Sequence, residues 1–506
     1  MTTQRQFWAI AALLVLIGFA FQGTRAVFEP DEGRYTATAL NMLKGGDWLV
    51  PTVDGEHPHL TKPPVTYWAI AASIGLLGYH EWAVRLPGAL AFVGTGLLVF
   101  GLGRRFCPAK PWLPALVWGL SLAPVIGANI VSTDALLVFF ETAAMYAFVE
   151  AWYRDGADRR RWLLAMWLGW GLAFMTKGPP GLLPLGAMVA FLAIHDRPKL
   201  RGLFAPPGVL VFALVGFTWF ALLVYQEPDR LGYFLGYEVY DRVFTAKHAR
   251  NAEWYGGFEV YVPVFLAGAL PWSVLALVAA GGPRDAWQST VRHVRARDRE
   301  ALLLLYWLVL PTVVFFLARS RLQLYVLPLF VPLALVLARP LANWTWLSTR
   351  RLLRIAAATA LLILVLKGIS GYWPHDRDAR QMAEAIRGAV DLGDIDEIVF
   401  IDMRAFFGLT LYLDVAAESV RIGGKEHPHS RLIPTAQHLC SELEEEERSL
   451  YAVKRQWAPT FPAAVANCRP LEAVEVGSFH ADDNEIVMFR LRPAAAVAPV
   501  PEDPTR

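Results

Sequence analysis

Three carboxylates within four positions, Glu29, Asp31 and Glu32, stand in "FEPDEGRYTATALNMLKGGDW" (28–48), directly after an apolar run long enough to enter a bilayer. Pro30 suits the first position of a helix, Asp31 and Glu32 complement its positive N-terminus, and Gly45-Gly46 can stop it just beyond Lys44. On such a helix Asp31, Arg34 and Tyr35 share a face, which gives a carboxylate a cation to orient it and makes it a candidate general base. The competing reading is that the acids only cap an interfacial helix, a common use of Asp and Glu. Two further motifs put a lysine beside Gly or Pro: Lys62 in "HLTKPPVTYW" (59–68) and Lys177 in "MTKGPPGLLPL" (175–185). With Arg242, Arg319 and Arg321 they supply the compact and forked cations that hold a phosphate. Asp134 opens an apolar run; it reads as a helix cap, or as a carboxylate with a role near the bilayer. His57 and His59, near Asp54 and Glu56, have an i, i+2 spacing in a proline-containing loop that is no metal-ligand signature, so solvated loop histidines and no metal are expected.

The elements that must position these residues are mostly membrane helices. In the chain of 506 residues, 55% are hydrophobic, 13% aromatic and only 18% charged, above what a soluble globular chain carries, and the net charge of +2 suggests no nucleic-acid partner. Apolar runs near 7–24, 87–103, 111–131, 134–152, 161–176, 179–195, 206–225, 258–280, 301–318, 323–338 and 355–371 each approach the span of a ~30 Å hydrocarbon core. A polytopic α-helical membrane protein with about eleven spans, thirteen at most, is expected. Arg104 and Arg105, Arg154 with 159–161, Arg197 to Arg201, 292–299 and 350–354 then fall in alternate loops on one side, the side that short basic loops keep cytoplasmic. The run 65–78 is too short for a comfortable span and reads as an interfacial or re-entrant helix.

Residues 1–371 thus form the membrane domain, with 25–86 as its first external loop. From 372 the chain changes character. "RDARQMAEAIRGAV" is helical in period, "EIVFIDM" and "LTLYLDV" read as buried strands, and "SELEEEER" as a charged turn, giving a small external α/β domain over 372–491 with a disordered end at 492–506. Cys440 and Cys468 are its two cysteines, and an oxidising compartment favours their pairing.

The ordered series "DEGRYTATALNMLKGGDWLVPTVDGEHPHLTKPPVTYW", "EWAVRLPGAL", "STDALLVFFETAAMYAF", "FMTKGPPGLLPL", "EWYGGFEVYVPVFLAGALPWS" and "SRLQLYVLPLFVPLAL" resembles the aminoarabinose transferase and protein O-mannosyltransferase superfamily of C-type (GT-C) membrane glycosyltransferases over residues 7–340. The resemblance implies transfer of a sugar from a polyprenyl phosphate to an acceptor hydroxyl of a glycan, lipid or protein, at the outer face of a bacterial inner membrane. It implies Asp31 as the base, Lys62, Arg242 and Tyr325 around the donor phosphate, and Asp134 in the pocket. Glu32, Arg34, Tyr35, Lys177 and Arg321 complete the expected substrate-binding set. Thr61 stands before Lys62 where aminoarabinose transferases tend to carry Glu, so a divalent metal held through that Glu finds no support here, and no cofactor is required. The chemistry agrees: a glycosidase needs a second carboxyl to protonate its leaving oxygen, whereas a phosphate leaves as a stable anion and needs cations instead. A transporter of lipid-linked substrates is the alternative; it calls for charges deep within helices, and 87–131 and 206–225 show almost none.

Overall fold

All eleven apolar runs contain helix, but the helices are unequal. The computed structural model describes residues 3–241, 250–422, 437–444 and 448–494. Two compact units emerge: Met1–Arg25, Gly46–Pro51 and His59–Trp373 form one, and Ala26–Gly45, Thr52–Pro58 and Pro374–Arg506 the other. In chain order the first helices are α1 (Thr3–Phe19), α2 (Asp31–Gly45), α3 (Val65–Leu77), α4 (Glu81–Phe106), α5 (Leu113–Gly119), α6 (Leu122–Asn129), α7 (Asp134–Trp152), α8 (Gly156–Lys177) and α9 (Leu183–His195).

Six helices among the described residues are long and apolar enough to cross a membrane: α4, α7, Pro206–Gln226, Arg299–Leu317, Gln323–Asn343 and Thr349–Tyr372. Gly256–Gly268 and Trp272–Ala279, bent by 79°, make a seventh if they are one broken span. Prolines explain where runs break. The expected run 111–131 divides into α5 and α6 because Pro124 has no N–H to give the carbonyl of Leu120; Pro271 likewise has none for the carbonyl of Ala267, which takes the tighter Leu270 N–H at 3.1 Å instead. Between α7 and α8 the backbones approach closely: a Cβ at Gly169 would lie 2.9 Å from the Ala144 methyl, the small-residue packing that membrane helices use in place of a hydrophobic driving force.

One end of this helical unit is a mesh of charges. Arg105 and Arg154 both meet Glu150, Arg159 donates to the Lys199 carbonyl at 3.2 Å, and Lys199 donates to the carbonyl of Trp152. Arg299 pairs with Asp196 at 3.3 Å, Arg339 with Asp298 at 3.4 Å, and the Tyr153 hydroxyl donates to Glu300 at 2.6 Å. The mesh gathers basic loops after α4, α7 and α9 with the start of Arg299–Leu317, four of the basic stretches that the sequence puts on one side. Beside it lies Pro283–Arg295, an amphipathic helix with no buried residue and an exposed Trp287, suited to the headgroup plane. Since α7 ends at this mesh and α8 begins beside it, Asp134 and Lys177, at the far ends of the two helices, stand at the other end.

The second unit is built on a six-stranded sheet of order β3-β2-β1-β4-β6-β5, with strands β1 (Glu397–Ile401), β2 (Ala416–Arg421), β3 (Gln437–His438), β4 (Ser449–Lys454), β5 (Leu471–Ala481) and β6 (Asn484–Pro493). Strands β3, β2, β1 and β4 are parallel; β6 and β5 are antiparallel. Every residue of β1 is buried, as a parallel strand covered on both faces requires. Ile398 and Phe400 pack with Met382 and Ile386 of the helix Ala379–Ala389, while Val399 and Ile401 pack with Phe461 and Val465 of Phe461–Cys468. Cys440 and Cys468 form a disulfide across a Cα separation of 5.2 Å. Two tail expectations are corrected. "LTLYL" (Leu409–Leu413) is a short helix and not a strand: a brief apolar run buried all round has no period to tell the two apart, and Asp414, in the left-handed region at φ 60°, ends it. Arg492 and Pro493, expected in a disordered end, are instead held by β6 in register with Glu472 and Leu471; the rest of that expectation, residues 495–506, lies outside the described residues.

Candidate active site

The three acids of the opening stretch have different fates, all within the second unit. Asp31 begins α2 with 66% of its side chain exposed and makes a loose ion pair, 3.7 Å to Arg34. Glu32 is buried and accepts from the Phe28 N–H at 2.9 Å, which ties the chain leading into the helix to its first turn. Glu29 is buried as well; one carboxyl oxygen accepts from the Gly408 N–H. Burial pushes its pKa up to about 8, against the opposing pull of that N–H, Arg404 and Arg34 and with the help of the Glu32 charge. Only Asp31 therefore presents a carboxylate to solvent. Tyr35, one turn on, is half-buried.

In the helical unit, α7 and α8 bring Asp134 and Lys177 into a buried ion pair with side chains 8% and 9% exposed. The Lys177 ammonium also sits 4.4 Å from the centroid of the Tyr325 ring, a cation–π contact, so three residues expected from separate motifs meet in one cluster. Glu141, two turns along α7, adds a fourth polar group: it is buried, and Lys177 and Asp134 are the charges acting on it. The sequence reading passed over Glu141; a lone acid inside the apolar run "LLVFFETAAM" was the signal that could have found it.

The remaining expected residues stand apart from this cluster or are committed locally. Arg321 is buried and donates to the carbonyls of Asn251, Glu253 at 2.7 Å and Phe316 at 2.9 Å, which fastens the segment 250–256 to the end of Arg299–Leu317. Lys62 donates to the Thr61 carbonyl at 2.9 Å. His59 pairs with the Thr61 hydroxyl at 3.0 Å and His57 with Asp54 at 3.1 Å, so each histidine has a local partner. Arg242 lies outside the described residues. A group that no motif announced, Glu397 of β1, Glu418 of β2 and Glu442 of the short helix Leu439–Glu442, brings carboxylate oxygens within 4.8 Å of one another, with Glu397 accepting from Ser449.

Comparison with known proteins bears on what this arrangement is for. Residues 61–225 match the dolichyl-phosphate-mannose-protein mannosyltransferase family. The undecaprenyl phosphate-alpha-4-amino-4-deoxy-L-arabinose arabinosyl transferase of Edwardsiella ictaluri is 30% identical over 405 residues, 76% of this chain and 70% of that protein. Its namesake in Aeromonas salmonicida is 34% identical over 65% of this chain and 59% of its own length. In fold, ArnT from Cupriavidus metallidurans, solved with undecaprenyl phosphate, superposes with a TM-score of 0.74 over 96% of this chain and 98% of its own at 19% identity. The multi-pass helical architecture and the sequence kinship lead to one assignment: the chain belongs to the aminoarabinose transferase and protein O-mannosyltransferase superfamily of GT-C membrane glycosyltransferases.

Proposed function

We propose that this glycosyltransferase moves a sugar from a polyprenyl phosphate, of the undecaprenyl class named for its relatives, to an acceptor hydroxyl at the periplasmic face of a bacterial inner membrane. The observation that carries the reading is the contrast among the motif acids: Glu29 and Glu32 are buried in structural roles and Asp31 alone is exposed. Asp31 takes the proton of the acceptor hydroxyl as its oxygen attacks the anomeric carbon. The bond from that carbon to the phosphate oxygen breaks with its electron pair on the phosphate, and attack from the opposite side inverts the anomeric centre. A phosphate monoester is stable as an anion, so no acid need protonate it; cations must hold it. Lys62 and Arg242 take that role, and the Lys177–Asp134 pair with Tyr325 forms part of the donor pocket. Arg321 keeps the 250–256 segment in place through its three carbonyls. The basic mesh at one end of the helices supports the orientation, since short loops rich in Lys and Arg stay in the cytoplasm.

The test is release of polyprenyl phosphate from a labelled sugar donor by the purified protein, with and without a hydroxyl acceptor. Acceptor-dependent release supports the proposal; movement of intact donor across a vesicle without release would establish the transporter instead.

A further inference from the structure

We infer that Glu29 is a positioning residue: its carboxyl, wedged between Gly33 of the catalytic helix and Gly408 of the tail domain, fixes that helix to the tail and so sets where Asp31 stands. The inference rests on the reading of Asp31 as base and adds a function for the tail domain, which would otherwise be an appendage to a membrane enzyme.

The residues around Glu29 form a joint with several independent fastenings. Phe28 and Asp378 make an antiparallel bridge, in which the Glu29 N–H donates to the Arg377 carbonyl at 3.1 Å and the Ala379 N–H to the Val27 carbonyl at 3.2 Å. The Val27 N–H donates to the Tyr412 hydroxyl at 2.9 Å, and the Phe28 ring lies 4.8 Å from that of His375. At the far end of α2, Lys44 meets Asp414 at 2.5 Å. Residues 26–45 are thereby part of a fold that also takes in Thr52–Pro58 and whose largest piece begins only at Pro374, and α2 owes its place to that piece.

Glu29 occupies the centre of this joint in a space cut to its shape. A Cβ at Gly33 would run into both carboxyl oxygens of Glu29 and lie 2.6 Å from the Gly408 nitrogen, and one at Gly408 would lie 2.7 Å from the nearer oxygen. Glycine at these two positions is what lets a carboxyl pass between helix and tail. One oxygen is held by Gly408, and the other is buried without a hydrogen-bond partner among the described residues. Such a group is costly to bury as an anion and far less so with a proton. The charged groups facing it are Arg404 and Arg34, which favour the anion, and Glu32, which opposes it; burial outweighs them and the pKa stands near 8. The sign follows. A carboxyl whose pKa is raised by docking is docked best when protonated, so the joint weakens as pH rises from the ordinary carboxylate range to about 8 and changes little beyond it.

The experiment uses the full-length protein in nanodiscs, with donor turnover read beside hydrogen exchange of residues 27–33. Glu29→Ala is expected to lower kcat by roughly 10- to 100-fold with the donor KM within about twofold, as a misplaced catalytic group would. It should also speed exchange across 27–33. Glu29→Gln, neutral and equal in size, is expected to restore kcat at neutral pH and to remove the fall expected of the wild type as pH rises toward 8. A Glu29→Ala enzyme with wild-type kcat and exchange would overturn the inference. So would a Glu29→Gln enzyme as slow as Glu29→Ala, since the charge and not the fit would then be in use. If instead Asp31→Asn is as fast as wild type, it is the base assignment that fails, and the exchange measurements still report on the joint.

Discussion

Two acid–base pairs, one in each unit, are built on opposite terms. Asp31 is exposed and Arg34 half-exposed, 3.7 Å apart and one turn from each other on the same helix; Asp134 and Lys177 pair with side chains 8% and 9% exposed, on different helices, and the Tyr325 ring lies against the lysine. An exposed pair is screened and contributes little to stability, so its carboxylate stays available for chemistry. A buried pair is bound to its partner by the cost of exposing either charge to an apolar surrounding, so losing one member strands the other. On the proposed reading the difference separates a reacting group from groups that shape the pocket, and it predicts different failures for the two sites.

The largest effect is expected at Asp31. Asp31→Asn keeps size and capping ability and removes the proton acceptor, so turnover at saturating donor should fall by roughly 10²–10⁴-fold, with thermal stability unchanged. Glu32→Gln serves as the control for the motif and should cost less in turnover, because Glu32 is spent on the Phe28 N–H. A dominant effect of Glu32 would break the contrast between exposed and buried acids on which the assignment of Asp31 stands.

At the buried pair, stability should fall before chemistry is reached. Asp134→Ala or Lys177→Ala alone is expected to destabilise by about 3–5 kcal/mol, seen as a lower midpoint in thermal unfolding of the detergent-solubilised protein. The double replacement Asp134→Leu with Lys177→Met removes both charges together and should recover most of that loss while leaving transfer impaired. Recovery of transfer as well would take the pair out of the donor pocket.

The disulfide tests whether the units fail separately. Replacing Cys440 and Cys468 by Ser removes a crosslink spanning 28 positions, worth about 3–4 kcal/mol in the chain-entropy account. The loss should appear as faster hydrogen exchange in the tail sheet, with α7 and α8 protected as before. Equal loosening of α7 and α8 would show that the two units unfold as one.

These contrasts mark how far the sequence could be read. The apolar runs, the helix at Asp31 and the strand "EIVFI" follow from local periodicity and charge, and the structure has helix or strand at each of them. The meeting of Asp134, Lys177 and Tyr325 was legible only as three motifs near one membrane level; that they touch depends on how α7 and α8 pack through Gly169 and Ala144. Arg321 looked like a phosphate cation because its type suits one, and nothing local reveals the carbonyls it serves. Glu29 was least legible of all. Its burial is imposed by Gly408, 379 positions away, so the acids of the motif look alike in sequence and part company only in the fold.

The smallest effect is expected at Arg34, and it is the one that most sharpens the contrast. Being 38% exposed and only loosely paired, Arg34 should contribute roughly 0.2–1 kcal/mol to stability, so Arg34→Ala should unfold at nearly the wild-type temperature. If its work is to orient the Asp31 carboxylate, turnover should drop only a few-fold, and the deficit should shrink at high salt, where screening weakens the wild-type pair as well. Combining Arg34→Ala with Asp31→Asn then decides between two uses of the arginine. Once the carboxylate is gone there is nothing left to orient, so the double variant should be no slower than Asp31→Asn alone. A further loss in the double variant would mean that Arg34 acts on substrate independently of Asp31, and the exposed pair would then be two functional groups standing side by side, not a base and its guide.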